Sequence, residues 1–144
     1  SIQYSVEKVI TAEIAQGQLD FLFGDRLLFV AHGTVIAGVD LGNLSTQNLW
    51  LEDGALYINL PPAEVFIATL NNEKSYVYDR ETGLLRKSEP NLETQARQVA
   101  EREILEGALE DGILDQATLN AEAYLERLFR SLVYREVIFV QDGE

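Results

Sequence analysis

The chain has 144 residues, 47% of them apolar and 24% charged, which is the size and composition of one ordinary globular domain and excludes a disordered polymer. Eleven Lys and Arg stand against 24 Asp and Glu, for a net charge of −13; such a surface repels phosphate backbones and anionic headgroups and excludes general nucleic-acid binding. The absence of cysteine excludes disulfides, thiolate catalysis and cysteine-held metals, and no run approaches the roughly 20 apolar residues of a membrane span.

The first segment alternates with period two. Ile2, Tyr4, Val6, Ile10, Ala12 and Ile14 point one way, and Gln3, Ser5, Glu7, Thr11 and Glu13 the other, the pattern of a long strand with one wet face. Lys8 and Val9 depart from it, as a bulge would. Gly17 and Gly24-Asp25 punctuate the next stretch. Leu27 to Leu41 then reads as a largely buried strand region in which Gly33 and Gly38 mark a bulge or a close backbone approach. Leu41-Gly42-Asn43 is its exit turn.

Asp53-Gly54 between two apolar runs predicts a type I′ hairpin, because both central residues must take positive φ. A two-residue loop pairs Glu52 with Ala55, puts Leu51 opposite Leu56 and Leu49 opposite Ile58 on one face, and sets Trp50 opposite Tyr57 on the other. Pro61-Pro62 ends the hairpin, since neither donates to a ladder. Ala63 to Leu70 and Lys74 to Asp79 read as strands, Asn71-Asn72 as a loop, and Thr82-Gly83 as a turn into Leu84 to Lys87.

After Pro90 the period becomes about 3.6. Asn91 is a fitting N-cap, and Leu92, Ala96, Val99, Ala100, Ile104 and Ala108 form a stripe. Gly112 stops this helix in the left-handed C′ role. Asp115 caps a second helix with the stripe Ala117, Ala121, Tyr124, Leu125, Leu128, Phe129 and Leu132. The short Gly112-Ile113-Leu114 link predicts an antiparallel or angled pair. Val137 to Gln141 is a final strand. Strands first, helices next and one strand last argue α+β: a mostly antiparallel sheet with two C-terminal helices packed on one face and a final strand, in a single domain over 1–144.

The residues carry little chemistry. His32 is the single histidine, so no histidine metal cluster exists; its place in an apolar strand beside Gly33 favours a structural role. The segment His32 to Leu41 is neither G-x-G-x-x-G nor a P-loop. Asp40, Asn43, Glu52 and Asp53 are loop oxygen donors without EF-hand spacing, and Asp40 suits capping of the Leu41-Gly42 turn. Glu101, Glu103, Glu106, Glu110 and Asp111 form a wet helical face, with Arg97 and Arg102 as i,i+4 partners of Glu101 and Glu106. Phe21, Phe23, Trp50, Tyr57, Tyr76 and Tyr78 are expected to pack in the core, Trp50 and Tyr57 having a groove or a place under the helices as alternatives. No catalytic residue, metal ligand or cofactor is assigned and no ligand-binding residue is named. Gly33, Gly38 and Asp40 are the positions to watch, for backbone geometry rather than catalysis.

Several segments together resemble a bacterial domain-of-unknown-function family, number 4230. They are Gly33-Thr34-Val35-Ile36-Ala37-Gly38-Val39-Asp40-Leu41, the strand end Leu56-Tyr57-Ile58-Asn59-Leu60-Pro61, the alanine-bearing helices from Gln95 to Leu132, and the closing strand Tyr134 to Val140. Gly42 departs from the family, which often has a small polar residue there. The resemblance implies no reaction. It implies an arrangement, an N-terminal membrane helix followed by this domain. That suits a chain beginning at Ser1 and read as a segment excised from a longer, membrane-anchored protein.

The expectation is a non-enzymatic, membrane-tethered binding or scaffold module outside the cytoplasm, associating with a protein partner or with itself and not with nucleic acid. The alternatives are a hydrolase-like enzyme with dispersed carboxylates around His32, and a cation or small-ligand sensor.

Overall fold

A computed structural model of the chain describes residues 2–14, 24–83, 91–132 and 136–141. The order of elements is β1 (Ile2–Ile14), β2 (Asp25–Gly38), two short 3-10 turns (Leu41–Asn43, Thr46–Asn48), β3 (Leu49–Glu52), β4 (Ala55–Asn59), β5 (Glu64–Leu70), β6 (Tyr76–Thr82), α1 (Leu92–Glu110), α2 (Ile113–Ser131) and β7 (Glu136–Val140). The class is α+β, mostly antiparallel, with both helices in the C-terminal half and a strand at the end. The strands divide between two sheets, and the chain forms two compact units: Tyr4–Val35 with Ile67–Glu110, and Ser1–Gln3 with Ile36–Phe66 and Asp111–Glu144. Gly17, Phe21, Phe23 and the Leu84–Lys87 run lie outside the described residues.

The first unit is built around β2. This strand bonds to β1 on one side and to β5 and β6 on the other. Asp25, Leu27, Phe29, Ala31, Gly33 and Val35 are all buried, on one parity of the strand; α1, whose buried residues are Leu92, Ala96, Ala100, Ile104 and Ala108, meets that face at Gly33 and Phe29. Gly33 permits this closeness. A Cβ there would stand 2.5 Å from Ile104 Cδ1 and 3.2 Å from the Thr69 carbonyl oxygen. The close approach expected at this glycine is therefore a helix side chain together with a neighbouring strand carbonyl.

A bulge lies in the β2–β6 ladder. Leu28 pairs with Asp79 and Phe29 with Val77, so Tyr78 is the extra residue, in β6. Alternating burial runs unbroken through Lys8 and Val9. Lys8 keeps the inward phase with its ammonium beside Gly107 of α1, its stem lying along the apolar surface, and Val9 is left outside at 64% exposure. One expectation fails here. Tyr76 and Tyr78 are exposed rather than core residues. Thr82 is the last residue of β6 and the Gly83 N–H bonds the Gly24 carbonyl at 2.6 Å; the turn expected from there into Leu84 to Lys87 lies outside the described residues.

The second unit carries the predicted hairpin in the predicted register. Leu49, Trp50, Leu51 and Glu52 pair with Ile58, Tyr57, Leu56 and Ala55. Asp53 (φ 52°) and Gly54 (φ 80°) take the left-handed values of a type I′ turn. Trp50 and Tyr57 stack at 5.6 Å between ring centroids. Strand β7 joins this sheet parallel to β4, Leu56 to Asn59 aligning with Val137 to Val140. The core here is Leu56, Ile58 and Leu60 against Ala121 and Leu125 of α2, with Val137, Phe139 and Phe129 closing around them.

Three stripe positions of α2, namely Tyr124, Leu128 and Leu132, are exposed instead of buried. The direction of the covered face explains this. The buried residues Ile113, Ala117, Ala121 and Leu125 step by four, so at 3.6 residues per turn the covered face moves round the helix and leaves Tyr124, Leu128 and Leu132 to one side. Leu51, at the hairpin tip on the edge strand, is also exposed. Gly112, at φ 81°, is the left-handed stop between the helices, but α2 starts immediately after it with Gly112 as its N-cap. Asp115 thus sits in the first turn as an acidic residue and not at the cap.

Candidate functional site

The carboxyl ends of the parallel pair β4 and β7 open onto a half-enclosed cavity of about 360 Å³. Chain direction makes it. Beyond Asn59 the chain leaves β4 through Leu60-Pro61-Pro62-Ala63, where the prolines cannot extend the ladder. Phe139, Val140 and Gln141 form the opposite wall. The floor is one face of α2, where Leu114, Thr118 and Glu122 recur every four residues with Asp115 beside them.

The walls are mainly apolar and the polar groups few. The Thr118 hydroxyl donates to the Leu114 carbonyl at 3.1 Å, which leaves its oxygen free to accept. Glu122 is half-buried, and desolvation raises its carboxyl above the ordinary value. Asp115 is exposed. Among the described residues, no basic side chain lines this cavity.

The first unit holds a second, polar cleft of about 270 Å³, lined by Ser5, Glu7, His32, Gly33, Thr34, Asn71 and Lys74 among others. His32 Nε2 is 3.4 Å from Glu7 Oε2. The histidine backbone is pinned from behind. Its N–H donates to Ser75 Oγ at 3.0 Å, the Ser75 hydroxyl donates back to the His32 carbonyl at 3.3 Å, and the Asn71 N–H reaches the same carbonyl at 2.7 Å. The rotatable hydroxyl answers both groups at once.

The positions singled out in the sequence fall apart in space. Gly33 serves packing, and Gly38 is the buried last residue of β2. Asp40 caps the exit turn, its Oδ1 accepting from the Gly42 N–H at 2.9 Å. Among the described residues, no group of three or more acidic or histidine side chains is placed to hold a metal ion, and no helix is long and apolar enough to cross a membrane.

Arg97 does not extend toward Glu101. It turns back to Glu93 at 3.1 Å and to Asn72 Oδ1 at 2.8 Å, its guanidinium 4.7 Å from the centre of the buried Phe29 ring. That face adds a cation–π contact to the ion pair.

Sequence reasoning missed two features. Asp25 is 1% exposed and accepts from Arg80 Nε at 3.2 Å, Arg80 Nη2 at 2.6 Å and the Thr82 hydroxyl at 3.1 Å. The signal was its phase: Asp25 shares the parity of Leu27 and Phe29. Glu122 was missed too, although it flanks the stripe residues Ala121 and Leu125.

No curated protein and no solved structure matches the chain. The family model described as "Protein of unknown function (DUF4230)" matches residues 1–139. The carriers of that likeness are now placed: Gly33 to Leu41 is the central strand and its capped exit, and Leu56 to Pro61 is the strand leading into the cavity. The chain therefore belongs to the family of domain of unknown function 4230.

Proposed function

We propose that the chain is a non-enzymatic binding module, tethered to a membrane outside the cytoplasm, whose ligand occupies the cavity between Pro61-Pro62 and α2. One observation carries the binding part. A half-open cavity of about 360 Å³ has apolar walls and a few convergent polar groups, which is the size and make-up of a small-molecule site. Its polar groups suit orienting a ligand more than attacking one, since Thr118 already donates to the backbone. The tether is supported by the family resemblance, which implies a membrane helix ahead of the domain. The test is twofold. A fragment screen by NMR should move the amide signals of Thr118 and Phe139, and Ala63→Phe, which fills the cavity, should abolish those shifts. Fractionation of the native protein with protease treatment of intact cells should give a membrane-bound, protease-sensitive product. Binding unaffected by Ala63→Phe would refute the cavity as the site, and a soluble, protected product would remove the tether.

The polar cleft favours a second reading, a hydrolase-like site in which Glu7 orients His32. Geometry is the first demand on such a pair. Under this reading His32→Ala abolishes turnover and leaves the fold intact. An unchanged phenotype would remove His32 from any site.

A further inference from the structure

We propose that the Pro61-Pro62 cavity takes a small organic ammonium ion with an aliphatic body, held by the Glu122 carboxylate as its counter-charge. This rests on the binding-module reading above and goes further by naming the chemistry of the ligand.

The apolar part follows from the walls. Leu60, Pro61, Ala63, Leu114, Phe139 and Val140 present carbon surface that gains by covering an aliphatic chain. The charge follows from Glu122. It lies seven residues beyond Asp115 on α2, about 10 Å further along the axis. The positive helix N-terminus is answered by Asp115 in the first turn and has faded over that distance. Among the described residues, the titratable groups lining the cavity are Asp115 and Glu122, both from α2; the described ends of β4 and β7 and the proline segment contribute none. Glu126, one turn further along, is taken by Arg130 at 2.7 Å. Glu122 is therefore a half-buried carboxylate in a largely carbon-walled cavity that no basic side chain lines among the described residues, and the group that complements it is a positive one.

An anion would meet two carboxylates, and an uncharged ligand would gain nothing from the charge of Glu122. A primary ammonium supplies three donors. These suit Glu122 and the lone pairs of Thr118 while the body lies against Phe139 and Pro61. The net charge of −13 raises the local concentration of any cation, so selectivity must be judged against a variant with the same net charge.

The experiment titrates the whole chain at pH 7 with hexylammonium, 1-hexanol and hexanoate, followed by the amide signals of Thr118 and Phe139. Hexylammonium should bind about tenfold or more tighter than 1-hexanol, from a hydrogen bond to a charged group, and hexanoate weakest. Each methylene from butyl- to hexylammonium should tighten binding about fourfold. Glu122→Gln should erase the preference for ammonium over alcohol, whereas Glu103→Gln, which removes one charge from an exposed site on α1, should keep it. Glu122→Met is the second variant should the first fail to fold. Equal binding of ammonium and alcohol overturns the inference and leaves the cavity as a binding site. Preference surviving both Glu122 variants also overturns it. Binding of none of the three probes overturns the inference and the cavity reading together.

Discussion

Replacing Arg80 by Met would keep most of its stem and remove the charge facing Asp25. Asp25 has no exposed side-chain surface and Arg80 retains 23%, so the burden falls on the carboxylate. It loses the donations at 3.2 and 2.6 Å and retains that of Thr82. Breaking a buried ion pair from one side costs roughly 3–5 kcal/mol. The partners that remain, the Thr82 hydroxyl among them, place this case at about 3 kcal/mol, or a fall in Tm of about 6–12 °C for a chain of this size. Replacing both partners, Asp25→Leu with Arg80→Met, removes the stranded charge and should return stability to within about 1 kcal/mol of the parent. Urea unfolding followed by far-UV circular dichroism measures all three differences as shifts in midpoint at constant slope. A loss under about 1 kcal/mol for Arg80→Met alone, or a double variant as weak as the single one, would refute the view that Arg80 compensates a dry carboxylate.

Gly33→Ala should cost about 1–3 kcal/mol through overpacking against Ile104, and adding Ile104→Val, which removes the clashing Cδ1, should make the double variant less unstable than the summed single changes in the same denaturation assay. Gly112→Ala forces a Cβ into φ 81° and should lower stability by about 1–2 kcal/mol, read as a lower Tm; no loss would mean that the helices have joined through a different backbone path. Glu122 holds its proton more tightly in the folded protein than in the unfolded chain, so its contribution to stability is fullest below the ordinary carboxylate value and is lost as pH rises through the folded-state value. Glu122→Gln should therefore be the more stable protein at pH 7, with the gap to the parent closing as pH falls toward 4.5. A gap independent of pH in paired melting curves would contradict that account.

Elements whose cause is local were legible in the residues alone. Asp53-Gly54 dictated the hairpin and its register, because a two-residue loop that matches the strand twist is type I′ or II′, and Asp before Gly selects I′. Leu92, Ala96, Ala100, Ile104 and Ala108 marked the buried face of α1, and Gly112 its stop. Asp40 announced its own turn. Each rests on contacts within a few residues along the chain, where spacing and φ preference suffice.

Tertiary structure decided what depends on distant segments. The parallel addition of β7 to β4 joins residues about eighty apart, and no local pattern states which strand a final segment will choose. Exposure of Tyr124, Leu128 and Leu132 follows from which face of α2 its own unit covers and not from the stripe itself. The candidate site has the same origin. Pro61-Pro62 reads in sequence as a strand breaker and Glu122 as one acid among 24; their meeting at one cavity is set by where two parallel strands end and which face of α2 lies beside them. Periodicity reports which way a side chain points, but a cavity exists only where separate elements fail to fill the space between them.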